Sequence, residues 1–596
     1  IFFVKVSGVL GSETVNLLIL IVINSVLNLN YETKMSQKMS RRKSQKRLLD
    51  DESTTKEVRP AKKSRLETAG SSKVSKKRKR PFWKNGIIYQ IYSRSFYDSN
   101  DDGIGDIQGI TAKADYFVEL GVETIWLTPI FESPMKDFGY DISNYEEIDE
   151  VFGSMQDFEN MIREMHSRDI KVILDFIPNH TSDQHEWFQK SLENDPKYKD
   201  YYLSVFRYSA WEWSEKRKQF YLHQFLKEQP DLNFRNPDVV SEMNNVFRFW
   251  LDKGVDGFRI DALKHLVEDI YDGDEPISVN SGETDATKYD YLDHIYTVNQ
   301  PETFDITRGW RQILDMYKDK VMIVEVYEDD IDQLMKYYGT ETDPLADFPF
   351  NFSLITNFGS RSDVTGTNLR ANVEQWIKNM PKGMWPNWTL GNHDNKRVAS
   401  RLGTDLVDAL NIFILLLPGT PVTYYGEEIG MEDTHISFED TQDPAGINSG
   451  SEHYSETRFS NASKTWIPVN ENHSFLNVKL QNEARQSHLQ VYKQAAQLRL
   501  ENTFQYGKLK FHVANEDVVA FVRFYDDSPT YLIVINTSTV EVTIDIKKGS
   551  VELPDSAPVV IRSSTDNRKE TEVGSSVKLT ELSLIGGECL VFSIDE

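Results

Sequence analysis

The chain has 596 residues, of which 39% are hydrophobic and 12% aromatic, enough for a large core and too many for wholesale disorder. Its formal charge of −26 excludes a nucleic-acid-binding body and suits a neutral substrate better than a polyanion. A single cysteine, Cys589, excludes an internal disulfide framework and any cysteine-rich zinc module.

The charge is unevenly spread. Residues 1–80 carry 19 Lys/Arg against 7 Asp/Glu, a net of +12, which leaves −38 for residues 81–596. Within this head, Val15 to Leu29 is apolar but interrupted by Asn16, Asn24 and Ser25. The run falls short of the roughly 20 apolar residues a membrane helix needs, and no clear small-residue cleavage site follows it as in a signal peptide. The sequence begins with Ile1 and its first methionine is Met35, so residues 1–34 read as a fragment or an over-extended reading frame. The clusters Arg41-Arg42-Lys43 and Lys76-Lys77-Arg78-Lys79-Arg80 suit a nuclear-import signal or a polyanion-binding arm. The plainer reading is a solvated, disordered tail, rich in Ser, Lys and Glu.

From Pro81 onward short apolar runs alternate with amphipathic helices. Gly86–Tyr92, Thr124–Leu127, Lys171–Asp175 and Val321–Glu325 read as strands buried on both faces. Between them, Phe158, Met161, Ile162 and Met165 recur with helical spacing behind a Ser154/Asp157 capping box. Val239, Met243, Val246 and Trp250 line a second helix, with Gly254 at its expected stop. Further strands at 257–262, 388–394 and 420–425 complete a strand–helix alternation that predicts a closed parallel barrel. Residues 181–235 lack clear periodicity and read as an inserted subdomain. Beyond about 505, Asp517–Tyr525, Thr530–Asn536, Val540–Ile546 and Glu588–Ile594 read as strands of a small all-β domain.

Chemistry in a parallel barrel sits at the C-terminal ends of the strands. Acids stand there: Asp175 (with His180 beyond it), Asp261, Glu325 and Asp394. Any one alone is a loop acid or a helix cap. Arg259 shares a strand face with Asp261, and a guanidinium beside a carboxylate favours its ionised form, as a nucleophile requires; the alternative is a structural ion pair. One ionised and one protonated carboxyl are what glycoside hydrolysis needs, set about 5–5.5 Å apart for retention. Separately, Asp98-Ser-Asn-Asp-Asp-Gly-Ile-Gly-Asp106 has oxygens at alternate positions, like the first half of a calcium loop, but lacks the twelfth-position Glu of an EF-hand.

Residues 81–596 resemble glycoside hydrolase family 13, the α-amylase clan, and more narrowly the insect maltase (α-glucosidase) group. The resemblance rests on ordered motifs: Asp175-Phe-Ile-Pro-Asn-His180, Gln229-Pro-Asp-Leu-Asn233, Gly257–His265, Glu325 and Asn392-His-Asp394. It implies an α/β chain built as a (β/α)8 TIM barrel over 81–180 and 236–504. It adds an inserted B subdomain over 181–235 after the third strand and a C-terminal antiparallel β-sandwich over 505–596. It further implies Asp261 as nucleophile, Glu325 as general acid/base and Asp394 as transition-state stabiliser. Arg259, His180 and His393 match the residues around the first glucose, Tyr140 a stacking platform and Asp137 the acid gripping the non-reducing end. No cofactor is needed for the chemistry. A structural Ca²⁺ or Mg²⁺ is implied at Asp98, Asn100, Asp102, Ile104 and Asp106.

Ala262 after the nucleophile goes, in related enzymes, with α-1,4 bonds, so maltose, short malto-oligosaccharides and sucrose are the expected small-molecule substrates. One departure stands out. Related α-glucosidases carry a Ser-Arg-Asp-x-x-Arg-Thr-Pro-x-Gln-Trp segment that brings an arginine to the first glucose. Here the chain runs Tyr454-Ser-Glu-Thr-Arg458-Phe to Trp466, with an apparent deletion between Ser455 and Phe459; Arg458 is the candidate substitute. Two other readings therefore stand beside the enzyme: a transporter heavy-subunit ectodomain, and a catalytically weak sugar-binding or toxin-receptor relative. The resemblance implies a secreted or membrane-attached protein, whereas the basic head argues otherwise. Asn-x-Ser/Thr sites at Asn351, Asn387, Asn461, Asn472 and Asn536 permit glycosylation.

Overall fold

The computed structural model describes residues 80–594 except 206–209, 270–272, 287, 438, 443–452 and 456–464. The described residues lie within one compact unit, Lys79–Glu596. The basic head before Arg80, Arg458 and the sequon at Asn461 lie outside the described residues. Among the described residues no helix is long and apolar enough to cross a membrane.

Eight strands form one parallel sheet: β1 Ile87–Ile91, β2 Val122–Leu127, β3 Lys171–Phe176, β4 Gly257–Ile260, β5 Val321–Val324, β6 Phe348–Pro349, β7 Asn387–Thr389 and β8 Thr420–Tyr424. Their hydrogen-bonded order is β6-β5-β4-β3-β2-β1-β8-β7, the cyclic order of a (β/α)8 barrel with its seam between β6 and β7. The seam is bridged by a side chain. Asn387 on β7 accepts from the Asn351 amide at 2.8 Å and donates to the Pro349 carbonyl at 2.8 Å, so its carboxamide stands in for a strand's peptide group. The two-residue strand β6 is too short to show in a hydrophobicity pattern, and the sequence reading missed it.

The helices behave as their spacing predicts. Helix α1, Met155–Ser167, starts on the Ser154/Asp157 capping box and buries Phe158, Met161, Ile162 and Met165. Helix α2, Pro237–Asp252, has proline in its first position, where no N–H is needed. It buries Val239, Met243, Val246 and Trp250 against the barrel. After it, Gly254 adopts φ +104, a turn that a side chain would strain.

Residues 181–235 contain structure that periodicity did not reveal: a helix, Glu186–Leu192, and three short antiparallel strands, Ser204–Val205, Trp211–Ser214 and Gln219–Leu222. The chain from 508 forms a six-stranded antiparallel sheet and a two-stranded one. The expected strands appear as Val518–Phe524, Tyr531–Asn536, Val542–Ile544 and Cys589–Ser593; Lys508–Ala514, Ser556–Arg562, Ser576–Lys578 and Leu582–Leu584 were not foreseen. Alternation along Val518–Phe524 sorts its side chains between two cores. Val519 and Phe521 join the barrel's cluster, while Val518, Ala520 and Val522 join the inner cluster of the sandwich.

Three predicted glycosylation sites are closed by this fold. Asn351, Asn387 and Asn536 are fully buried, and Asn536 donates to three carbonyls. Asn472 is half-buried and donates to Glu432 at 2.8 Å. Replacing Asn387 by Ala strands a buried amide and a buried carbonyl at the seam, with an expected loss of about 2–4 kcal/mol. Urea unfolding will read it as a lower midpoint at unchanged slope.

Candidate active site

Strand register assembles the centre. Asp175 on β3 lies opposite Arg259 on β4, which lies opposite Ile323 on β5. The ladder continues past the strand ends: the Asp261 amide donates to Phe176 O and the Glu325 amide to Ile260 O, each at 2.9 Å. Because side chains alternate, Asp175, Arg259, Asp261 and Glu325 converge on the same interior face.

Arg259 organises them. It is 1% exposed, yet its guanidinium meets three carboxyl groups. Nη1 donates to Asp175 Oδ1 at 2.7 Å and also to Asp261, while Nη2 lies 2.6 Å from Glu325 Oε1. Trp126 lies 5.3 Å beneath the guanidinium, and its indole N–H points at Asp175 Oδ2 at 3.4 Å. Ala262, directly after Asp261, takes a left-handed φ of +47 and donates its amide to Glu325 Oε2 at 3.0 Å. A non-glycine residue there stores local strain beside the acid cluster.

Burial pushes all three carboxyl groups above their ordinary range, and Arg259 opposes the shift. Asp175 and Asp261 rise to about 6. Glu325 rises further, to about 8, because Asp261 and Asp394 add their repulsion to burial. Arg259 favours the ionised form of Asp261, as its place on the same strand face predicts, while desolvation raises the carboxyl against it. Asp261 still ionises before Glu325.

The remaining predicted residues join the same network. Tyr140 O–H reaches Asp175 Oδ2 at 3.1 Å and His393 Nε2 at 2.6 Å, and its ring stacks on the imidazole at 5.5 Å. His393 Nε2 is 3.4 Å from Asp394 Oδ1, the most open of the acids with its side chain 46% exposed. His180 is buried, its Nε2 3.1 Å from both Tyr140 O and Gln229 Nε2; burial lowers it to about 4, so it is neutral at physiological pH. Gln229 also donates to Asp137 Oδ2 at 2.8 Å. Asp137, Tyr140, His180, Arg259, Asp261, Glu325, His393 and Asp394 thus form one connected set.

Sequence reasoning missed several supports. Gln90 bonds His393 Nδ1 at 2.8 Å, and Asn392 donates to Tyr327 O–H at 2.8 Å. Gln90 had a signal: it is the polar residue inside the apolar run Ile87–Ile91, and a buried amide needs a partner. Gln229 stood in a quoted motif without a role.

The oxygen-rich loop is turned inward on itself. Asp98 accepts from the Gly103 amide at 2.8 Å, Asp102 from the Ile104 amide at 2.7 Å, and Asp106 from the Ser99 and Gly109 amides at 2.7 and 2.6 Å. Asn100 accepts from the Asp102 amide at 3.0 Å. Hard oxygens at alternate positions suit Ca²⁺ or Mg²⁺ chemically. Among the described residues, however, no three His, Cys, Asp or Glu side chains converge as metal ligands.

The family model "Alpha amylase, catalytic domain" matches residues 90–507, which include every one of these groups. The chain belongs to the α-amylase family. Within it, the chain is 41% identical to Maltase A1 of Drosophila melanogaster over 85% of its own length and 95% of the relative's. It is also 39% identical to the human (Homo sapiens) amino acid transporter heavy chain SLC3A1, over 84% and 78% of the two chains. Among solved structures it matches the α-glucosyl transfer enzyme XgtA with a TM-score of 0.75 at 30% identity, covering 87% of this chain and all of that one.

Because the Asp394 charge contributes to the raised Glu325, Asp394→Asn should lower the Glu325 midpoint from about 8. Carboxyl ¹³C NMR across a pH titration will read the change without substrate.

Proposed function

We propose that the chain is a retaining α-glucosidase. It removes terminal α-1,4-linked glucose from maltose and short malto-oligosaccharides, and glucose from sucrose, by double displacement. The observation that carries this reading is two buried carboxyl groups, Asp261 and Glu325, held by the one guanidinium of Arg259, with the Asp261 and Asp394 charges adding to the rise of Glu325. Near neutral pH the first is mostly ionised and the second mostly protonated, as the first step requires.

In the first step an Asp261 oxygen attacks C1 of the glucose while Glu325 gives its proton to the glycosidic oxygen. The C1–O bond breaks and a glucosyl ester of Asp261 forms. In the second, Glu325, now ionised, takes a proton from water, and the water oxygen attacks C1 and releases Asp261. Two inversions return the α-anomer. Asp394 stabilises the positive charge that develops on the ring in both steps. Asp137, His180, Arg259 and His393 hold the first glucose, and Tyr140 stacks beneath it.

The likeness to a transporter heavy chain and the shortened 455–459 region favour a non-catalytic reading; the presence of Asp261, Glu325 and Asp394 together favours the enzyme. A structural Ca²⁺ or Mg²⁺ at Asp98, Asn100, Asp102, Ile104 and Asp106 would require these oxygens to turn from the loop amides they now accept from, and no step of hydrolysis would pass through it.

Maltose hydrolysis followed by proton NMR should show α-glucose first; β-glucose first overturns the double displacement. Glu325→Gln should lower kcat by about 10²–10⁴-fold, and Asp261→Asn at least as much, in folded protein. The pH profile of kcat/KM should be a bell with limbs near 6 and 8, since activity needs Asp261 without its proton and Glu325 with it. EDTA should lower the thermal midpoint and added Ca²⁺ restore it, with kcat unchanged while the protein stays folded.

A further inference from the structure

His393 is held in its own plane by hydrogen bonds. Gln90 Nε2 lies 2.8 Å from Nδ1, and Tyr140 O–H 2.6 Å from Nε2. The two bonds and the Cβ anchor locate the ring, and what packs against its faces limits how far it can rock about the Cβ–Cγ bond. Tyr140 stacks on it at 5.5 Å and 6°, and Tyr92 leans on it at 5.9 Å and 32°.

Tyr92 is in turn backed by Trp466, stacked at 6.2 Å and 24°. Trp466 is itself pinned on several sides. Its indole N–H donates to Ser95 Oγ at 3.2 Å, and its amide donates to Gly103 O at 3.2 Å. Phe138 packs on it at 5.2 Å, and the Arg94 guanidinium sits 5.1 Å from its ring. The result is a continuous aromatic series, Tyr140–His393–Tyr92–Trp466–Phe138. It runs from the acids to Trp466, whose amide donates to Gly103 O in the oxygen-rich loop.

We propose that Trp466 is a positioning residue that acts through Tyr92 to fix the tilt of the His393 imidazole against the first glucose. This deepens the glucosidase reading and rests on it for the word glucose. The positioning itself does not depend on turnover. The indole face does the work: it supplies the flat surface Tyr92 leans on. The Ser95 and Gly103 bonds hold that surface in place.

The test uses the full chain with Trp466→Leu, which removes the flat face, and Trp466→Phe, which keeps a flat ring but loses the Ser95 bond. Trp466→Leu should raise KM for maltose about tenfold while kcat changes less than about twofold, because His393 binds and does not react. In substrate-free protein, the His393 midpoint followed by imidazole NMR should move up toward 6.5, since burial is what lowers it. Trp466→Phe should stay close to the wild type on both readings. Tyr92→Leu, one ring nearer, should reproduce the Trp466→Leu phenotype and serves in its place if that variant does not fold.

A folded Trp466→Leu protein with unchanged KM and unchanged His393 titration overturns the proposal. So does a Trp466→Phe protein as impaired as Trp466→Leu, which would give the role to the Ser95 bond. A wild-type protein that does not hydrolyse maltose overturns the glucosidase reading instead, and the imidazole titration still decides the positioning.

Discussion

One positive charge cannot neutralise three buried carboxylates. Arg259 faces Asp175, Asp261 and Glu325 in a site from which water is nearly excluded, and electrostatics leaves the cluster one inexpensive arrangement: a proton stays on one acid. Which acid keeps it follows from the neighbours. Glu325 stands near both Asp261 and Asp394, so it releases its proton last. The asymmetry between a carboxyl that keeps its proton and one that releases it thus arises from a deficit of cations, with the barrel supplying the low-polarity enclosure that makes the deficit felt.

The same deficit has a thermodynamic side. Between its ordinary 4.5 and about 8, native Glu325 holds a proton that the unfolded chain has released. Its contribution to stability is therefore fully present at low pH and is lost as pH rises through 8. Trp126 beneath the guanidinium and Tyr140 on Asp175 offset part of the desolvation. The left-handed Ala262 adds strain at the same place. The centre is sustained by the rest of the fold rather than by itself.

The sequence was legible where physics repeats. The buried strands from Ile87, Val122, Lys171, Gly257 and Val321 are apolar on consecutive positions, and the helices from Met155 and Pro237 carry spacing and caps, so each announced itself. Arg259 and Asp261 were legible as neighbours because a strand repeats every two residues. What escaped was set by tertiary context. Phe348–Pro349 is a strand only because Val321–Val324 pairs with it, and the hairpin inside 181–235 is read only from its pairings. Gln90, Gln229 and Trp466 look like ordinary polar or core residues until their partners, distant in sequence, are brought beside them. Desolvation was likewise invisible: adjacency shows the Arg259 cation that favours an ionised Asp261, but not the burial that opposes it.

The strand Val518–Phe524 turns alternate side chains to two different cores. The face carrying Val519 and Phe521 completes the packing around Phe413, on a helix that precedes the last barrel strand. The barrel cannot close off this apolar surface with residues from its own portion of the chain. During synthesis, then, a nascent protein stopped anywhere before residue 524 leaves the ribosome with an unsealed flank, exposed to chaperones and to its neighbours. The C-terminal sheet is thus a late-arriving piece of the catalytic body, and truncations designed to isolate that body would reproduce the unfinished nascent state.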